Sequence, residues 1–144
     1  MKVAHGGSSG LVPCVCTDLV FGGWDTLEAI DAVAKAGVPA IEFWGWRDKA
    51  IDAVGERAKR HGLQIAAMSL DPAVRILDGD AGAEFLKSVE ESLAVAKRIG
   101  CRRLVVHVQP VPMGSGASRI PDPGRAQALK AQRRNIAAAL KKAA

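Results

Sequence analysis

The sequence predicts an α/β fold built as a parallel (βα)4 layer. Three observations predict it. Short apolar runs alternate with segments of helical periodicity. Gly37, Gly62 and Gly100 each fall between a helical segment and the apolar run that follows, the place where helices end in a left-handed cap. The apolar runs lack polar alternation, as expected of parallel strands covered on both faces. Strand–helix alternation of this kind gives a parallel sheet with right-handed crossovers.

Residues 12–21 read as the first strand, rich in Val, Cys, Leu and Phe and broken by Gly22-Gly23. Asp25 reads as the N-cap of the next helix, with Glu28 placed to close a capping box. Leu27, Ile30, Val33 and Ala34 recur at helical spacing. The second strand spans 38–44, with Pro39 at its entry, where a missing N–H is tolerated. Asp48 is expected to cap a helix carrying Ile51, Val54 and Ala58. The third strand spans 63–70, and Asp71-Pro72 opens a longer connection. A third helix over 82–99 aligns Phe85, Leu86, Val89, Leu93 and Ala96 on one face, and a fourth strand spans 103–108. The stretch 109–124 holds four of the seven prolines, and such loops after a strand border active sites in α/β folds. A last helix over 125–142 places Leu129, Ile136 and Leu140 on one side. All 144 residues read as a single domain.

Composition narrows the class. The chain is 49% hydrophobic and 24% charged, which fits a globular protein. No run approaches the roughly 18 apolar residues of a membrane span, and no signal peptide precedes the Gly/Ser-rich start, so the expected compartment is the cytoplasm. Net charge is +5. The segment 125–142 carries six Lys/Arg and no Asp/Glu. It reads as the solvated face of a helix, and the lack of interleaved aromatics argues against a nucleic-acid partner. Cys14, Cys16 and Cys101 are an odd set, best read as reduced structural thiols; a C-x-C without a nearby His is a weak zinc signal.

Several residues near strand C-terminal ends bear chemistry. Glu42 in an apolar strand is costly to bury unpaired. It reads either as a carboxylate bonded to a neighbouring backbone group or Arg, or as a contact to a substrate hydroxyl or an anchor for a group that makes one. Trp44 and Trp46, one glycine apart, point the same way if the backbone is extended, and offer indole faces to the C–H groups of a ligand or to rim packing. His107 reads as a satisfied core imidazole or as a group that binds substrate oxygen or metal. Asp18 and Asp71 stand at two further strand ends, so that Asp18, Glu42, Asp71 and His107 would converge on one pocket. His5 and His61 read as surface residues.

Within the segment from Ala40 to Lys49, the run Glu42-Phe43-Trp44-Gly45-Trp46 is the most specific part of a resemblance. Cys16 to Phe21, His61 to Met68, Ser92 to Gly100, His107 and the closing helix from Gln132 carry the rest. Together they resemble the xylose-isomerase-like TIM-barrel family, in particular its hydroxypyruvate isomerase and sugar phosphate isomerase/epimerase members. The resemblance implies the N-terminal half of a TIM (β/α)8 barrel, since a full barrel takes about 250 residues. It implies a sugar or hydroxypyruvate isomerase or epimerase, moving a proton alpha to a carbonyl, with a divalent Mg or Mn ion stabilising the enediolate. In that family the metal ligands and proton-transferring glutamates come mainly from the second half. No catalytic residue or metal ligand is therefore assigned here. Glu42, Trp44, Trp46 and His107 are the expected substrate-binding residues. The alternatives are a non-catalytic truncated or engineered half-barrel, and a basic binding module.

Four strands do not close a barrel. With Val15, Ile41, Ile65 and Val105 or Val106 expected on an uncovered inner face, the chain is expected to associate with another copy or with a second half-barrel.

Overall fold

The structure is a computed structural model that describes residues 10–71, 82–107 and 123–143. The stretch before Gly10, His5 within it, the turn at Pro72 and the proline-rich loop over 109–122 lie outside the described residues.

Elements follow the order β1 (Cys14–Cys16), α1 (Thr17–Val20), α2 (Thr26–Lys35), β2 (Ala40–Phe43), α3 (Ile51–Arg60), β3 (Gln64–Ser69), α4 (Gly82–Arg98), β4 (Leu104–Val105) and α5 (Pro123–Ala143). The strands form one parallel sheet in the order β1-β2-β3-β4. The predicted α/β class and the partial-barrel architecture are those observed.

Local chemistry explains most boundaries. Asp25 Oδ1 accepts from Leu27 N at 2.8 Å and Glu28 N at 3.3 Å, so α2 starts as its cap residue dictates. Gly37, Gly62 and Gly100 have φ of 76°, 68° and 74°, a region that side chains with a Cβ rarely adopt. Some boundaries differ from expectation, β4 being shorter than the expected 103–108. The first strand is three residues long, not ten, because the chain turns into α1 at Thr17, whose hydroxyl is buried and donates to Glu42 O at 3.3 Å. Asp48 does not cap α3; the cap position is Ala50 and Asp48 pairs with Lys49.

The core lies between the sheet and α2, α3 and α4. Ile30, Val33, Ile41, Phe43, Val54 and Met68 are its fully enclosed members. Phe85, Val89, Leu70 and Ala139 form a second cluster under α4 and α5. Val15, Ile41 and Ile65 point into the helix-covered core, not toward the open face. Large aliphatics fill the space between sheet and helices, and the period-2 alternation of a strand sends the opposite residues inward. A register shift between β2 and β3 preserves this order: Ile41 pairs with Ile65 but Glu42 with Ala67, leaving Ala66 as the extra residue, so Phe43 and Met68 both face the helices.

The open face accordingly carries small and polar groups. Register aligns Cys14 with Ala40, Cys16 with Glu42, Glu42 with Ala67, and Ser69 with Val105. Of the aliphatics expected there, only Val105 is present, 41% exposed. Among the described residues no helix is long and apolar enough to cross a membrane.

Candidate functional site

The C-terminal ends of β2, β3 and β4 meet around a hollow of about 70 Å³ lined by Glu42, Trp44, Ala67, Ser69, Val105 and His107. Ladder register places the side chains. Glu42 lies opposite Ala67, Ser69 opposite Val105, and His107 two residues further along the same chain direction. Ser69 Oγ and His107 Nε2 are 2.9 Å apart, which fixes the ring of the otherwise exposed histidine. The Glu42 carboxylate has no hydrogen-bond or ion-pair partner among the described residues. Its charge is nonetheless felt: burial first, and then Glu42, push the thiols of Cys14 and Cys16 upward, with Asp18 adding to the effect at Cys16. At neutral pH both cysteines are thiols and poor nucleophiles.

The loop from Trp44 to Ala50 is held by two carboxylates, Asp18 in α1 just after β1 and Asp71 just after β3. On the β1 side, Asp18 Oδ2 accepts from Trp44 N at 2.8 Å while Asp18 Oδ1 pairs with Lys49 Nζ at 2.9 Å. Lys49 then donates to Trp44 O at 2.8 Å and to Asp48 Oδ1 at 3.3 Å. Its three ammonium protons are thus all engaged, on a side chain only 6% exposed. Both backbone groups of Trp44 are clamped by one ion pair, and its ring is left 47% exposed at the hollow.

On the β3 side, Asp71 Oδ2 accepts from Trp46 N at 2.9 Å and Arg47 N at 3.0 Å. Burial works against the charged form, but the Arg47 and Trp46 N–H groups and the nearby cations outweigh it and hold the Asp71 carboxyl below its ordinary range. Arg47 stacks 4.4 Å over the Trp46 ring, donates through Nε to Asp71 O and pairs with Glu91 at 2.6 Å.

The structure therefore brings Glu42, Trp44 and His107 together and leaves Trp46 apart. Gly45 has φ of 57°, so the backbone between the two tryptophans is not extended and they diverge. Trp46 packs against the core and donates from Nε1 to Ser92 Oγ at 2.9 Å. Asp18 and Asp71 do not face the hollow with free oxygens; they build the loop that presents Trp44. Two participants were not read from the sequence. Ser69 carries no motif and Lys49 only ends the run from Ala40; the register of β3 against β4 and the return of the loop onto Asp18 give them their places.

Ligating side chains are sparse here. Glu42 and His107 are the carboxylate and imidazole on the hollow, and among the described residues no group of three His, Cys, Asp or Glu is arranged to hold a metal ion. Cys14, Cys16 and Cys101 are free thiols, the last buried with its Sγ 3.3 Å from Arg103 O. His61 lies at the other end of the strands, where His61 and Arg57 both bond to Asp31.

Comparison with known proteins agrees with this fold. Residues 30–144 match the family model described as xylose isomerase-like TIM barrel. Among solved structures the chain is similar to an AP endonuclease, family 2, from Brucella melitensis (TM-score 0.70, 22% identity, 91% of this chain and 50% of that one). It is similar as well to a sugar phosphate isomerase/epimerase from Parabacteroides distasonis (0.64, 18%, 95% and 50%) and a xylose isomerase domain protein from Planctomyces limnophilus (0.53, 13%, 91% and 49%). The chain thus spans about half the length of the structures it matches. At these identities the likeness establishes the fold. No curated protein matches the sequence.

Proposed function

The chain belongs to the xylose isomerase-like TIM-barrel family, and from that premise we propose that it supplies part of the sugar-binding mouth of an isomerase or epimerase that moves a proton alpha to a carbonyl. The observation that carries the reading is the Glu42 carboxylate beside His107, without a hydrogen-bond or ion-pair partner among the described residues, at the strand ends where barrel enzymes place their chemistry.

Each residue has a distinct task in this proposal. Glu42 accepts hydrogen bonds from substrate hydroxyls. The clamped Trp44 offers its ring face to the sugar C–H groups. His107, oriented by Ser69, bonds a substrate oxygen. Trp46, proposed from sequence as a further contact, acts through the loop instead. A hollow of about 70 Å³ is far below the roughly 300 Å³ of a complete small-molecule site, so these groups form one wall of the site. The residues present do not fit a metal cage, and a Mg or Mn ion would need further ligands from elsewhere.

The test is solvent deuterium incorporation at the carbon alpha to the carbonyl, followed by NMR over D-xylulose, other ketoses and hydroxypyruvate, with and without Mg or Mn. Wash-in that falls at least tenfold in Glu42→Gln supports the proposal. The sparse ligand set favours a second reading, a non-catalytic barrel part. Binding of the same compounds without any wash-in would select it.

A further inference from the structure

We propose that Ser69 is a positioning residue that holds His107 as its Nδ1–H tautomer, so that the imidazole donates to a carbonyl oxygen of the ligand. The proposal rests on the sugar-binding reading above and adds to it the direction in which the ligand lies.

Burial and hydrogen-bond arithmetic select the tautomer. Ser69 ends β3, a strand with β2 on one side and β4 on the other, and is 5% exposed. His107, two residues past Val105 of β4, is exposed. Ser69 Oγ and His107 Nε2 are 2.9 Å apart. The hydroxyl has one proton, and a neutral imidazole carries one N–H, so the contact has two arrangements. In the first, Ser69 donates to a bare Nε2 and the ring proton sits on Nδ1. In the second, Nε2–H donates to Ser69, whose own proton then needs another acceptor. Among the described residues Ser69 Oγ meets no other acceptor, and little water reaches it at 5% exposure. A buried O–H without a partner is costly, while the ring of an exposed histidine has water for its second nitrogen in either form. The first arrangement leaves nothing buried unsatisfied. Which ring nitrogen bears the proton is set by the bond the other makes, and here Ser69 sends it to Nδ1.

The tautomer gives the hollow a direction. Glu42 and His107 line it together. An ionised Glu42 only accepts and therefore takes hydroxyl donors, whereas Nδ1–H only donates and takes an oxygen lone pair. A carbonyl next to a hydroxyl satisfies both at once, the carbonyl on His107 and the hydroxyl on Glu42. A fixed N–H on a carbonyl oxygen also stabilises negative charge that develops there. With Nε2 occupied by Ser69 and Nδ1 protonated, the ring keeps no lone pair for a metal ion. Of the two roles open to His107, oxygen contact or metal ligand, Ser69 selects the first.

The test begins without ligand. Long-range 1H–15N correlation spectra of the 15N-labelled full chain, in alkaline buffer where imidazole is neutral, report the tautomer of each histidine, and His107→Gln assigns the signals of His107. Nδ1–H should be the major form in the parent protein and in Ser69→Thr, which keeps the hydroxyl. Ser69→Ala should lower the ratio of Nδ1–H to Nε2–H at least tenfold. Nε2–H as the major form in the parent protein, or a ratio that Ser69→Ala leaves unchanged, would overturn the proposal whatever the ligand. Calorimetric titration with D-xylulose and with xylitol, its counterpart with the carbonyl reduced, then reads the direction. The parent protein should prefer D-xylulose at least tenfold, and Ser69→Ala should lose that preference while Ser69→Thr retains it. Equal affinity for the two compounds would overturn the carbonyl assignment and leave the sugar reading standing. Binding of neither would contradict the sugar reading itself and remove the assignment that rests on it.

Discussion

The two faces of the sheet obey different rules. Toward the helices, Ile41, Phe43 and Met68 are sealed at 1% exposure or less. Toward the open side, the same strands present Cys16, Glu42, Ser69 and, past the end of β4, His107. One residue of register separates the groups that hold the fold from the groups free to do chemistry. The loop after β2 sits between these regimes. Its backbone groups at Trp44, Trp46 and Arg47 are spent on Asp18, Lys49 and Asp71, and the face of Trp44 is left exposed. Stability and function are divided by strand parity rather than by distance along the chain.

That division is broken most forcefully from the helix side. Phe43→Ala should cost about 3–5 kcal/mol in urea unfolding, because it removes a fully buried ring from a packed cluster. Lys49→Met comes next. It strands the Asp18 carboxylate and frees Trp44 O, at a cost of about 1.5–3 kcal/mol, and it should raise acrylamide quenching of Trp44 in a Trp24→Phe, Trp46→Phe background. Gly45→Ala should cost about 1–2 kcal/mol through its left-handed φ alone, with a Cβ 3.0 Å from Asp71 Oδ2 adding to it.

Acid sharpens the role of the same loop. The folded Asp71 carboxyl lies below its ordinary range, so the folded state binds fewer protons than the unfolded one. The stability this contributes is complete above the usual carboxylate range and is lost as pH falls through the lowered folded value. Tryptophan fluorescence should report the loop loosening below about pH 4, and Asp71→Asn should remove that step. The smallest effect belongs to the open face. Glu42→Gln and His107→Ala should leave stability within about 0.5 kcal/mol of the parent while weakening ligand binding. A loss of several kcal/mol in either would mean that the open face also holds the fold.

Much of the fold was legible because its punctuation is local. Asp25 and the glycines at 37, 62 and 100 act within one turn, so sequence alone locates the joints. The inner and outer faces were not legible. A run such as 38–44, apolar but for one residue, shows no alternation, and the expectation that put Val15, Ile41 and Ile65 on the open face fails for that reason. Glu42, the one charged residue in that run, was the usable signal for parity, since its carboxylate has no place under the helices. At the site, Glu42, Trp44 and His107 could be named from their places near strand ends. The divergence of Trp46 depends on the φ of Gly45, and the roles of Lys49 and Ser69 depend on contacts between segments 31 and 38 residues apart in sequence.

The account rests on the ends of β2, β3 and β4 being one ligand-facing surface. Amide chemical-shift mapping of the full chain titrated with D-xylulose and with hydroxypyruvate tests this most directly. The expected result is saturable shifts grouped at Glu42, Trp44, Ser69 and His107, abolished by Glu42→Gln, with the helix-facing core unmoved. Shifts grouped instead at the opposite end of the strands, around Gly62 and Gly100, or no saturable shift for either compound, would contradict it.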